Sequence, residues 1–133
     1  MVLVDTSAWI EFLRDTNSAT CQRVRSLLQE KKSIATCPAI CMEVTAGARD
    51  ENHLRSLQRL LSVADILPIR DTDYEQAACL FRFCRQQGYS VRKIIDCLIA
   101  AVAIRDDIPL LHSDRDFDML EQCTSLRAIP RFT

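Results

Sequence analysis

The chain has 133 residues, of which 48% are apolar, 26% charged and 6% aromatic, a profile that excludes a disordered protein and suits one globular core. Its 17 basic and 18 acidic residues nearly cancel, so no global field marks it as a nucleic-acid binder and none excludes it. With only two glycines, Gly47 and Gly88, it cannot carry a Rossmann fingerprint or a P-loop, both of which need closely spaced glycines. Residues 97–104 form the longest run without a polar side chain, too short to cross a bilayer. The opening Met-Val-Leu-Val-Asp lacks a basic segment and reaches an acid at once, so no signal peptide is expected. Seven cysteines are an odd number without a CxxC motif. They read as buried free thiols in a reducing, cytoplasmic compartment. The Cys37–Cys41 spacing is not read as zinc, because His53 and His112 lie far away and form no ligand pair.

Residues 2–4 read as a short buried strand, followed by a helix over 7–14 and a second over 17–32, where Val24, Leu27 and Leu28 recur at helical spacing. A strand over 33–36 leads to Pro38, placed to open a helix that continues through 40–48. Leu54, Leu57, Leu60 and Leu61 mark a further helix, and 64–69 a short strand. A helix over 71–87 ends at Gly88, a suitable C-cap. The most apolar helix spans 92–105. A strand over 109–112, a short helix over 117–122 and a last strand over 127–129 complete the chain. Short strands alternating with helices imply an α/β fold, a short-stranded parallel sheet with helices on both faces. The 133 residues are expected to form one domain. In such folds ligands collect beyond the carboxyl ends of the strands.

Acids stand at those places. Asp5 directly follows the first strand, and Asp114 follows the strand over 109–112. Glu43 and Asp96 sit inside apolar helical stretches, where an ionised carboxylate costs several kcal/mol unless it is paired or binds a metal. Each has an ordinary reading. Asp5 and Asp114 are good helix N-caps, and Glu43 and Asp96 can be surface residues. Arg92 can reach Asp96 at i, i+4, but one arginine cannot neutralise four acids. A parallel sheet can bring all four to one edge, with Asp116 joining them, while Asp118 is expected on the exposed side of its helix. An oxygen-only cluster favours a hard ion, Mg²⁺ with Mn²⁺ as a substitute, and suits phosphodiester hydrolysis by an activated water. One or two ions fit that chemistry equally.

The blocks Asp5-Thr6-Ser7-Ala8-Trp9-Ile10, Glu43 on the next helical block, Ile95-Asp96-Cys97-Leu98-Ile99-Ala100-Ala101 and Ser113-Asp114-Arg115-Asp116-Phe117 resemble the motifs of PIN domains. In particular they resemble the VapC toxins of VapBC toxin–antitoxin systems, in the right order and over essentially the whole chain. The resemblance implies a PIN-like fold and a Mg²⁺-dependent endoribonuclease that leaves 5′-phosphate and 3′-hydroxyl ends. It makes Asp5, Glu43, Asp96 and Asp114 the catalytic and metal-binding quartet, Asp116 a fifth metal ligand, and Ser7 a hydroxyl that supports the first acid. It also implies a VapB-like antitoxin that covers the toxin's groove, and toxin dimers. Trp9, Phe12 and Leu13 would line that groove unless they are core. Phe83 and Ala78, off the main stripe of the helix over 71–87, would form a dimer surface. Arg14, Arg92 and Arg115 are the arginines singled out for RNA phosphates, within a wider set of Arg49, Arg82, Arg85 and Lys93. Two rivals use a similar fold: a receiver-like signalling domain with acids at strand ends, and a non-catalytic binding module. A receiver would need paired acids after the first strand and a lysine beyond Lys93. A haloacid-dehalogenase-type phosphatase would need an acid where Ser7 stands.

Overall fold

The computed structural model describes residues 1–130. In chain order the elements are β1 (Val2–Val4), α1 (Thr6–Leu13), α2 (Ala19–Gln29), β2 (Ile34–Thr36), α3 (Pro38–Ala46) and α4 (Glu51–Leu61). They continue with β3 (Asp65–Ile66), α5 (Asp71–Gln86), α6 (Ile94–Arg105), β4 (Leu110–Leu111) and α7 (Arg115–Cys123). The strands form one parallel sheet in the order β3-β2-β1-β4. Val2 and Leu3 stand opposite Ile34 and Ala35, while Leu3 and Val4 stand opposite Leu110 and Leu111. Successive strand residues point to opposite faces, yet Leu3, Val4, Leu110 and Leu111 are all fully buried. Helices therefore cover both faces, as the apolar strand sequences require.

The strand order reverses at β1: the chain proceeds through β2 and β3 on one side, then returns to lay β4 on the other. The crevice beyond the carboxyl ends of β1 and β4 is the topological switch point, the natural ligand position of an open parallel sheet. Asp5 and Asp114 emerge there.

Local chemistry explains where several elements begin. Ser18 caps α2 by accepting from the Cys21 N–H at 3.0 Å, so that helix opens at Ala19 rather than at residue 17. Pro38 opens α3, where its missing N–H costs nothing. Asp114 caps α7, which therefore starts at Arg115. α6 starts at Ile94, because the N–H groups of Arg92 and Lys93 are taken by Asp116. The strand expected over 64–69 shrinks to the exposed pair Asp65–Ile66, and that over 127–129 to a single parallel bridge between Leu110 and Ala128. Trp9 is fully buried and belongs to the core. Phe12 packs partly against it, so of the three residues expected at a partner groove only Leu13 lies open.

One expectation about the cysteines is overturned. Cys84 on α5 and Cys123 at the end of α7 are joined by a disulfide, their Cα atoms 6.0 Å apart. A reducing compartment inferred from seven free thiols loses that support. Cys21, Cys37 and Cys97 are free and buried as expected, whereas Cys41 is half-buried and Cys79 exposed; burial pushes the Cys37 thiol up to about 11. No helix among the described residues is long and apolar enough to cross a membrane.

Candidate metal centre

The first two acids are positioned by the turn that follows β1. The Asp5 N–H donates to the Leu111 carbonyl at 2.9 Å, which locks β1 to β4 at the crevice. Its carboxylate splits its work. Oδ2 caps α1, accepting from the Ser7 N–H at 2.9 Å and the Ser7 hydroxyl at 2.5 Å. Oδ1 is buried and has no hydrogen-bond partner. The Ser7 oxygen in turn accepts from the Ser113 N–H at 2.9 Å, so one hydroxyl ties the acid of β1 to the loop that carries Asp114. Glu43 reaches the same place from α3. The Thr6 hydroxyl donates to its Oε1 at 2.8 Å and fixes the carboxylate beside Asp5.

The other acids arrive with α6 and α7. Seven of the twelve residues of α6 are buried, so Asp96 in its first turn is carried inside: it is 2% exposed, and its Oδ2 has no hydrogen-bond partner. Asp114 follows β4 and accepts from the Asp116 N–H at 2.9 Å and from Lys93 Nζ at 3.1 Å. Asp116 is fully buried. Its Oδ2 accepts the N–H groups of Arg92 and Lys93 at 3.1 and 3.2 Å, and its Oδ1 accepts from Arg92 Nε at 3.2 Å. Asp96, Asp114 and Asp116 offer oxygens that lie within 4.8 Å of one another. Asp5, Glu43, Asp96 and Asp114 line one open cleft of about 440 Å³ together with Thr6, Ser7, Ile10 and Lys93.

The electrostatics of the cleft are unbalanced. Burial, reinforced by the charge of Glu43, outweighs the Ser7 bonds and pushes Asp5 up to about 6. Burial and then the charge of Asp5 push Asp96 up as well, with Lys93 alone opposing them. For Asp114 burial also works upward. The Asp116 N–H, the Lys93 hydrogen bond and the charges of Lys93 and Arg92 prevail over it and hold that acid below the usual carboxylate range. Two buried oxygens without donors and two acids that resist ionisation describe a cluster short of positive charge. A hard divalent cation answers both deficits, so the residues fit an ion of the Mg²⁺ or Mn²⁺ type.

The sequence-predicted quartet thus meets in one cleft, and Ser7 lies beside the acid it was expected to support. Asp116 is adjacent, with both oxygens engaged in clasping the segment ahead of α6. Arg92 does not pair with Asp96 as the i, i+4 spacing suggested. It precedes the helix, where that spacing does not apply, and its guanidinium meets Asp116 and, at 3.4 Å, Asp114. Lys93 takes the expected place, with Nζ 3.6 Å from Asp96 Oδ2. Arg115 is exposed on α7, and Arg14 lines a neighbouring groove of about 420 Å³ that shares Ile10 and Glu43 with the acidic cleft. Sequence reasoning missed Thr6 as the partner of Glu43. Nothing in the local pattern reveals a contact across 37 positions.

Comparison with known proteins bears on this geometry. The family model of the PIN domain matches residues 2–121. Ribonuclease VapC11 of Mycobacterium tuberculosis is 44% identical over 130 residues, covering 96% of this chain and 97% of that protein. Among solved structures, VapBC-1 from nontypeable Haemophilus influenzae superposes with a TM-score of 0.76 at 18% identity, over the whole of both chains. The sarcin-ricin-loop-cleaving toxin VapC20 of M. tuberculosis superposes with a TM-score of 0.68 at 19% identity, covering 96% of this chain and 99% of that one.

Proposed function

Because the chain belongs to the VapC ribonucleases of the PIN-domain family, we propose that it is the toxin of a type II toxin–antitoxin system, a metal-dependent endoribonuclease. The observation that carries the reading is the convergence of four carboxylates from β1, α3, α6 and the β4–α7 loop on one cleft, two of them with buried oxygens that lack a donor. Asp5, Glu43, Asp96 and Asp114 would hold the ion, Mg²⁺ with Mn²⁺ as a substitute, with Asp116 as a further ligand that also clasps the segment ahead of α6. When bound, a divalent cation supplies positive charge to the phosphodiester oxygens and lowers the pKa of the water that attacks phosphorus.

The chain's own residues do the rest. Ser7 and Thr6 orient the carboxylates of Asp5 and Glu43. Asp5 and Asp96 would offer a cation their buried oxygens, which have no donor in the protein. Arg14, Arg92 and Arg115 contact RNA phosphates around the cleft. The adjoining groove that includes Ile10, Leu13 and Arg14 accepts a segment of a VapB-like antitoxin, since occupancy there would cover Glu43. Phe83, 47% exposed on α5, and the exposed Ala78 belong to a homodimer surface. The whole chain acts as a single PIN domain, and RNA as a substrate would suit a cytoplasmic protein. No observation favours a receiver domain: Asp5 has no neighbouring acid, and no lysine follows Lys93.

The test is cleavage of total RNA by the purified protein. Cleavage is expected with Mg²⁺ or Mn²⁺ and not with a chelator, and it should yield 5′-phosphate ends. Asp96→Asn should lower the rate by about a thousandfold or more while the fold survives. A folded Asp96→Asn protein that cuts as fast as the parent would sink the site assignment.

A further inference from the structure

We propose that Lys93 is a substrate-binding residue that does two jobs in turn: its ammonium holds the Asp96–Asp114 pair until a divalent cation displaces it, and it then binds the scissile phosphate. The inference rests on the metal-dependent ribonuclease reading above.

Lys93 is the N-cap residue of α6, a position where a cation is disfavoured by the helix dipole and where it makes no side-chain cap. Helix formation therefore does not explain its presence. The acids around it do. Its Nζ stands 3.1 Å from Asp114 Oδ2 and 3.6 Å from Asp96 Oδ2, bridging carboxylates from two separate elements. At 3.6 Å it offers Asp96 charge without a hydrogen bond, and that oxygen stays without a donor. A single ammonium thus answers only part of the deficit, and a divalent ion between the same oxygens answers more of it.

Displacement is easy at one end of the residue and blocked at the other. The backbone N–H is pinned by Asp116 at 3.2 Å, whereas the side chain is 50% exposed on a flexible four-carbon stem. Released from the carboxylates, the ammonium stays tethered at the rim of the cleft. Among the described residues lining that cleft it is the only cation. Arg92, its neighbour, is engaged by Asp116 and Asp114 and is not among the residues lining that cleft. The group a phosphodiester meets on entering beside the acids is therefore Lys93.

The experiment compares wild type with Lys93→Met, which keeps the stem and removes the charge, and with Lys93→Arg, which keeps the charge. Mn²⁺ alone is titrated into RNA-free protein by calorimetry. Cleavage kinetics are then read on a fluorogenic single-stranded RNA that the wild type cuts. Removing the competing charge should tighten Mn²⁺ binding about tenfold, and losing the phosphate contact should raise KM about tenfold with kcat changed less than about threefold. Lys93→Arg should stay close to wild type in both. A structural role alone would weaken metal binding and lower kcat, not produce this opposed pair of shifts. Unchanged Mn²⁺ affinity, or an unchanged KM, in a folded and active Lys93→Met protein overturns the proposal. Failure of the ribonuclease reading would show separately, as a wild type that leaves RNA intact in Mn²⁺.

Discussion

Two parts of this molecule bury aspartates equally well and treat them in opposite ways. Asp73, in the first turn of α5, is 3% exposed. Its carboxylate accepts the Arg70 N–H at 2.8 Å and a charged hydrogen bond from Arg105, whose guanidinium also reaches the Pro68 carbonyl at 2.9 Å and Asp106. Asp5 and Asp96 are 3% and 2% exposed, and each keeps one oxygen with no donor. An acid that serves the fold is met by an arginine and a backbone N–H. At Asp5 and Asp96 a buried oxygen is left without a donor, the deficit that a bound cation would meet.

That contrast can be broken by substitution. Asp73→Asn removes one of the two carboxylates that pair with Arg105, whose side chain is only 17% exposed, and should cost about 2 kcal/mol, a fall in Tm of about 7 °C. Metal-dependent cleavage per folded molecule should be unchanged. Calorimetric melting and an RNA assay at a temperature where the variant stays folded check both halves.

Asp5→Asn should act in the opposite direction. Asparagine keeps an oxygen to cap α1 and removes a charge that burial disfavours. The native carboxyl titrates at about 6 against an ordinary 3.8, so native Asp5 is penalised once the pH exceeds the ordinary value, and the penalty is complete above about 6. Relief of it sets a ceiling of about 3 kcal/mol on the gain in metal-free stability. The gain should be full above pH 6 and vanish below about pH 4, where both folded and unfolded carboxyls are protonated. Denaturant unfolding from pH 4 to pH 8 in chelator checks the sign. A variant less stable than wild type at pH 7.5 would place Asp5 with Asp73 as a structural acid.

The same contrast shows what was legible before the fold was known. Asp5 and Asp114 stand at strand ends in the sequence, and each can be read either as a helix cap or as a ligand. The structure makes each a cap, and for Asp5 it assigns capping to one oxygen and the cleft to the other. Glu43 and Asp96 were visible as charges out of place in apolar helices. The parallel sheet was legible from buried two-faced strands such as Val2–Val4. The hidden features depend on contacts between distant segments. Asp116 takes the N–H groups of Arg92 and Lys93 and shifts the start of α6, which exchanges the expected Arg92 pairing for Lys93. Thr6 meets Glu43, and Cys84 meets Cys123, only because helices far apart in sequence pack together. Trp9 beside Asp5 reads from sequence at least as well as core as it does as groove, and it is fully buried in the core.

The claim that the cleft is a cation site assembled from deliberately unsatisfied acids is tested most directly by melting the RNA-free protein at pH 7.5 with and without Mn²⁺, for wild type and Asp73→Asn side by side. Mn²⁺ at a hundred times its dissociation constant should stabilise both by about 2.7 kcal/mol, because the metal completes Asp5 and Asp96 and ignores Asp73. A wild type whose melting is indifferent to millimolar Mn²⁺ would contradict the account.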